Sequence, residues 1–167
     1  MAMVTRLSSM IALCVFGASA GCSDAKNSGN SIRDGAAGDE YAVNSCDGKG
    51  TPFVLPLTAR TPNGEFSVTL TAAEPTQFSL GDNDWTLSVS GANGDPAAGV
   101  AFVVNPWMPE HRHGAVKTVV VTDLGDGKYE AKPINANMPG VWDIRIDFPG
   151  DGGTPLRAVL SVCASAR

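Results

Sequence analysis

The chain predicts an all-β fold, an immunoglobulin-like β-sandwich of about seven strands. Three observations carry that expectation. The 167 residues include 19 glycines and 11 prolines, which suit short strands joined by tight turns and oppose long helices. Apolar residues recur at every second position in several runs, the period of a half-buried strand. Clusters of Gly, Pro, Asn and Asp separate those runs and preset turns. An OB-type β-barrel satisfies the same pattern and stands as the alternative.

The elements follow in chain order. Residues 1–21 read as a lipoprotein signal peptide: Arg6 supplies a positive start, Met10 to Phe16 a short apolar run, and Ala18-Ser19-Ala20-Gly21 the small residues before Cys22. A small-residue run ending in Gly-Cys resembles a bacterial lipobox, in which Cys22 is acylated and becomes the mature N-terminus. A plain secretory signal cut nearby is the alternative. Both place the mature protein outside the cytoplasm, and the first anchors it by lipid to a membrane of the cell envelope, facing the periplasm or the exterior. Residues 22–45 are polar and rich in Gly, Ser and Asn, without periodic apolar residues. They read as a flexible tether.

The folded domain is expected over 46–163, with 164–167 as a tail. Phe66, Val68 and Leu70 alternate with Ser67, Thr69 and Thr71; Trp85, Leu87 and Val89 alternate with Thr86, Ser88 and Ser90. Val100 to Val104 is apolar on both faces, as a central strand would be. Val116 to Val121 is β-branched and strand-like. Tyr129 to Ile134 holds Pro133, which demotes it to an edge or a strand end. Trp142, Ile144, Ile146 and Phe148 face one way, with Asp143, Arg145 and Asp147 opposite; Leu156, Ala158, Leu160 and Val162 make the last strand. Turns are expected at Pro62-Asn63-Gly64, Gly81-Asp82-Asn83, Ala92 to Pro96, Gly125-Asp126-Gly127, Met138-Pro139-Gly140 and Pro149 to Gly153.

Cysteine usage sorts by position. Cys14 leaves with the signal and Cys22 carries lipid, leaving Cys46 and Cys163 at the two ends of the domain. In an oxidising compartment such a pair bridges. Closing a loop of roughly 117 residues stabilises by about 4–5 kcal/mol in the chain-entropy model. The net charge of −5 argues against nucleic acid as a partner, because phosphate binding needs a basic surface.

Chemistry concentrates in Asn105 to Gly114, which holds both histidines of the chain and a methionine next to proline. The segment reads as a loop leaving a sheet edge. If Glu110 to Gly114 is extended, His111 and His113 project to the same side. Thioether sulfur with imidazole nitrogen suits copper, Cu(I) especially. Met108 is a further candidate ligand, and Met138, in a second loop before the Trp142 strand, is another. Trp107 is a possible lid whose ring face shields a monovalent ion. Two plainer readings stay open. The histidines are simply exposed or bonded to backbone while Met108 plugs the core, or Glu110 joins them in a zinc site. No Gly-x-Ser-x-Gly elbow or phosphate-binding loop is present, so no enzyme is expected.

The run Gly94-Asp95-Pro96-Ala97-Ala98-Gly99-Val100, then Trp107-Met108-Pro109-Glu110-His111-Arg112-His113-Gly114, then Asp126-Gly127-Lys128-Tyr129 and Met138-Pro139-Gly140-Val141-Trp142, resembles the YtkA-like domain family, related to FixH-type proteins. The resemblance covers roughly Glu65 to Val162. It implies an exported immunoglobulin-like β-sandwich, often linked to copper handling or cytochrome oxidase assembly. Carried onto this chain, it makes Met108, His111, His113 and Met138 the candidate copper ligands. The function expected is carriage or buffering of Cu(I), with an envelope protein that donates or accepts copper as partner. The competing expectation is a protein-interaction or structural module, with Trp107, Met108 and Pro109 forming an apolar patch.

Overall fold

The computed structural model describes Cys46 and residues 48–165. The signal peptide (1–21), the lipidation site Cys22, the tether (22–45) and the end of the tail (166–167) lie outside the described residues. Among those described, nine strands form two antiparallel sheets: β1 (Leu57–Arg60), β2 (Phe66–Glu74), β3 (Gly81–Gly91), β4 (Val103–Met108), β5 (His113–Gly114), β6 (Val120–Gly125), β7 (Lys128–Ala136), β8 (Gly140–Phe148) and β9 (Leu156–Ala164). One sheet runs β1-β2-β3-β7-β6 and the other β5-β4-β8-β9. The sheets are open and stacked, so the architecture is a β-sandwich and the closed barrel is set aside. Strand β9 runs through Ala164, one residue beyond the expected domain end.

The period-2 runs form the core. Val68, Leu70, Leu87, Val89 and Ala131 of the five-stranded sheet are fully buried against Ile144, Ile146, Ala158 and Val162 of the four-stranded one. Burying each large aliphatic side chain contributes about 1.5–3 kcal/mol. Aromatic rings close both ends. Phe66 stacks on Phe148 at 4.3 Å, while Phe78 meets Trp85 at 5.6 Å and Phe53 meets Trp85 at 5.9 Å. The Tyr129 hydroxyl donates to Ala97 O (2.7 Å) and accepts from Val100 N (2.9 Å), which pins the long β3–β4 connection.

Cys46 and Cys163 are bonded, with Cα atoms 6.0 Å apart, inside the usual range for a bridge. The bond ties the start of the described chain to β9. Thr51 N donates to Ser161 O at 2.7 Å and extends that attachment.

Several strands differ from expectation. Val100 to Val104 is not buried on both faces: Phe102 and Val104 are buried while Val103 is 56% exposed. The strand starts later and runs on through Met108, because Asn105, Pro106 and Trp107 continue the register with β8. Val116 lies outside β6, and it and Val120 are exposed; β-branching alone did not report on burial. Strand β7 is interior, between β3 and β6, despite Pro133. The β6 ladder ends at Lys132, and the β3 register shifts between Asn83 and Trp85, opposite Pro133. The missing N–H therefore falls where no regular ladder bond is needed. Gly81-Asp82-Asn83 is the start of β3, not a turn. Asn83 is fully buried, and its amide donates to the carbonyls of Ser79 (2.9 Å), Gly81 (3.2 Å) and Ile134 (3.1 Å).

Candidate functional site

Strand β4 and the two-residue β5 make a hairpin that carries three of the four expected ligands. Its turn is residues 109–112, closed by Arg112 N donating to Met108 O at 2.8 Å. Arg112 takes a positive φ of 57°, which a chain reversal needs and an extended run would not. Glu110 to Gly114 is therefore not extended throughout. His111 and His113 come together, ring centroids 5.9 Å apart, because the turn folds them toward each other.

Register then places the side chains. Met108 is paired directly with His113, and directly opposed residues of an antiparallel pair share a face, with Cβ atoms about 4.5–5.5 Å apart. That face is the inner one: Met108 is only 1% exposed. On the other side of β4, Pro106 pairs with Ile144 and Trp107 with Asp143. One further step along that register brings Met108 abreast of Trp142.

Trp142 is the organiser of this end. It is fully buried, its ring meets the His113 ring edge-on at 6.0 Å, and its Nε1 donates to Met138 O at 3.0 Å. One indole thus fixes the β4–β5 hairpin against the β7–β8 turn. The His113 ring and the Met138 backbone meet at Trp142, with Met108 paired to His113 across the hairpin and the His111 ring beside His113. Met138 is half-buried against the core, His113 is half-buried and His111 is exposed.

His113 has a defined tautomer. Its Nδ1 lies 2.9 Å from Gly114 O; a carbonyl only accepts, so Nδ1 carries the proton and donates. In the neutral ring that leaves the lone pair on Nε2, and the backbone bond orients the ring.

Other expected residues are placed elsewhere. Trp107 lies on the outer face, opposite Met108, with the Arg145 guanidinium 4.6 Å from its ring centroid. The indole next to a histidine is Trp142. Met108 belongs to the core, so it is no part of an exposed apolar patch. Glu110 is held 2.8 Å from Lys49, and the Lys49 hydrogen bond and charge lower its carboxyl pKa below the ordinary value. Among the described residues no three His, Cys, Asp or Glu side chains gather as a metal-holding group, so a zinc site of His111, His113 and Glu110 is not formed. Sequence reasoning missed Trp142 as the hub. The available signal was the Met138 to Trp142 spacing, which crosses one tight turn into a strand.

A family model described as YtkA-like matches residues 63–147, just over half of the chain. That span takes in β2 through most of β8, including the hairpin, the β7–β8 turn and Trp142. No curated protein matches the chain.

Proposed function

This chain belongs to the YtkA-like family, and from that premise we propose that it is a lipid-anchored envelope protein that binds Cu(I) at the Met108, His111, His113 and Met138 rim. It carries or buffers the ion for an envelope protein that donates or accepts copper, and no catalytic step occurs on it. The observation that carries the reading is the direct pairing of Met108 with His113, beside an indole that also holds the Met138 turn. Two thioethers and two imidazoles form a neutral, soft donor set, which favours monovalent copper over harder divalent ions. Trp142 gives the site a fixed, dry wall. The Nδ1 bond to Gly114 keeps the His113 ring from rotating away.

The test is competition for Cu(I) against a chromogenic chelator. The wild type should withdraw about one equivalent, and M108L/H113Q should bind far more weakly. The loss should exceed the 10–100-fold or so that removing an outer-shell partner produces. Leu at 108 conserves volume in the core, so lost binding would not be a folding defect; a circular dichroism melt checks this. Wild-type protein that leaves the chelator untouched, or a double variant that binds like wild type, contradicts the proposal.

A further inference from the structure

We propose that the groove beside Trp107 and Arg145 binds an extended acidic peptide, with a carboxylate on Arg145 and the peptide backbone on Val104. The site lies on the outer face and the open edge of the four-stranded sheet, so it stands or falls independently of the copper rim.

Two arginines on neighbouring strands are treated differently. Arg157 holds Asp147 with two bonds, Nε to Oδ1 at 2.6 Å and Nη2 to Oδ2 at 2.9 Å. Arg145 is half-buried and laid 4.6 Å from the Trp107 ring centroid; its charge reaches Asp147 and helps lower that carboxyl's pKa, yet among the described residues it makes no direct ion pair. A planar guanidinium stacked on an indole is pre-organised to grip a carboxylate with two N–H bonds.

The groove it overlooks has a volume of about 400 Å³ and is lined by Val104, Asn105, Trp107, Thr118 and Arg145 among others. Its outer wall is the 115–119 segment between β5 and β6, tied to the other sheet by Lys117 Nζ and Asp82 Oδ2 at 2.6 Å. Its floor is the edge of β4. Strand β5 covers that edge only at Trp107 and Met108, with Ala115 N adding a bond to Pro106 O at 3.1 Å. In an antiparallel strand, alternate residues present N–H and C=O to the same side. Val104, two residues before Pro106, therefore presents both groups to the groove, and among the described residues no backbone or side-chain partner takes them.

An added strand would satisfy both groups, and its side chains would alternate between faces. The residue next to the one opposite Val104 would project to the outer face, the face of Arg145. Aspartate or glutamate there meets the guanidinium. Of the three cations on the groove walls, Lys117 and Arg157 are paired with Asp82 and Asp147, which leaves the Arg145 guanidinium as the one without a direct ion pair among the described residues.

The test is an NMR titration of the ¹⁵N-labelled protein with a blocked peptide, acetyl-Thr-Val-Asp-Val-Thr-amide, beside its Asn counterpart and sodium acetate. The Asp peptide should shift the Val104 amide and the Arg145 Nε resonance together. The Asn peptide, and the Asp peptide on Arg145→Gln, should bind about tenfold or more weakly. Arg145→Lys keeps the charge and should still bind more weakly than wild type, which decides the matter if the Gln variant does not fold. Equal titration by the Asp and Asn peptides, undiminished binding to Arg145→Lys, or acetate alone reproducing the Val104 shift would each overturn the proposal.

Discussion

Asp147 is 9% exposed, yet it sits on β8 at a position whose alternation points outward. Its burial is made tolerable by three bonds: two from Arg157 and one from the Asn105 amide at 3.2 Å. The Arg157 hydrogen bonds lower its pKa first, against the opposing effect of burial, and the Arg157 charge, the Asn105 amide and the Arg145 charge add to the lowering. A carboxylate whose folded pKa is depressed contributes stability that is fully present above its unfolded value, near 3.8. That contribution is lost as pH falls through the folded value. Urea unfolding of Asp147→Asn should therefore show about 1–3 kcal/mol less stability at neutral pH, and the deficit should shrink below about pH 4. A deficit unchanged down to pH 2 would mean the charge is not what matters. The alternation of Trp142 to Phe148 named the buried side chains correctly, but it could not report Asp147 as buried. That depends on Arg157, which reaches it only through cross-strand register.

At the scale of elements, strands legible in the sequence are those with one wet and one dry face, namely β2, β3, β8 and β9. Of the other five, β4 and β6 are displaced from their expected bounds, and the remaining three escape the pattern for separate physical reasons. Strand β1 is four residues preceded by Pro56, too short to display a period. Strand β5 is two residues, recognisable only by its pairing with Trp107 and Met108. Strand β7 carries Pro133 where the neighbouring ladders lapse, and a lapse in register leaves no mark in a single sequence. The candidate site was legible as composition, since both histidines, Met108 and Met138 fall in two short segments whose donors are soft. Its geometry was not, because the hairpin brings the rings together by reversing the chain. Turns were the most readable elements, and the β6–β7 turn shows why. Gly127 has φ 69°, its carbonyl accepts from Val89 N at 2.7 Å, and a Cβ there would lie 2.6 Å from Val89 O. Gly127→Ala should cost about 1–3 kcal/mol, read as a lowered denaturant midpoint. An unchanged midpoint would show that β3 and β7 can part there without penalty.

At the scale of the whole molecule, the sandwich is a frame and both proposed sites sit on its edges. The disulfide joins positions 117 residues apart, so its main effect is on the unfolded chain. Replacing Cys46 and Cys163 together by serine should lower stability by about 4–5 kcal/mol in the chain-entropy model, measured by chemical unfolding without reductant. A loss under about 1 kcal/mol would show that β9 holds without it. The Cys46 loop also meets the rim through the Lys49–Glu110 pair, but both side chains are exposed, and surface pairs of that kind contribute little to stability. The rim is held instead by Trp142, gripping one loop by its ring and the other by its N–H. If sulfur and imidazole meet at that rim to hold one copper ion, as proposed, X-ray absorption spectroscopy of the Cu(I)-loaded protein will detect both kinds of ligand. The spectrum should show sulfur and imidazole nitrogen together around the ion, with the sulfur contribution falling in Met108→Leu. A shell of nitrogen and oxygen alone, identical in wild type and Met108→Leu, would contradict it.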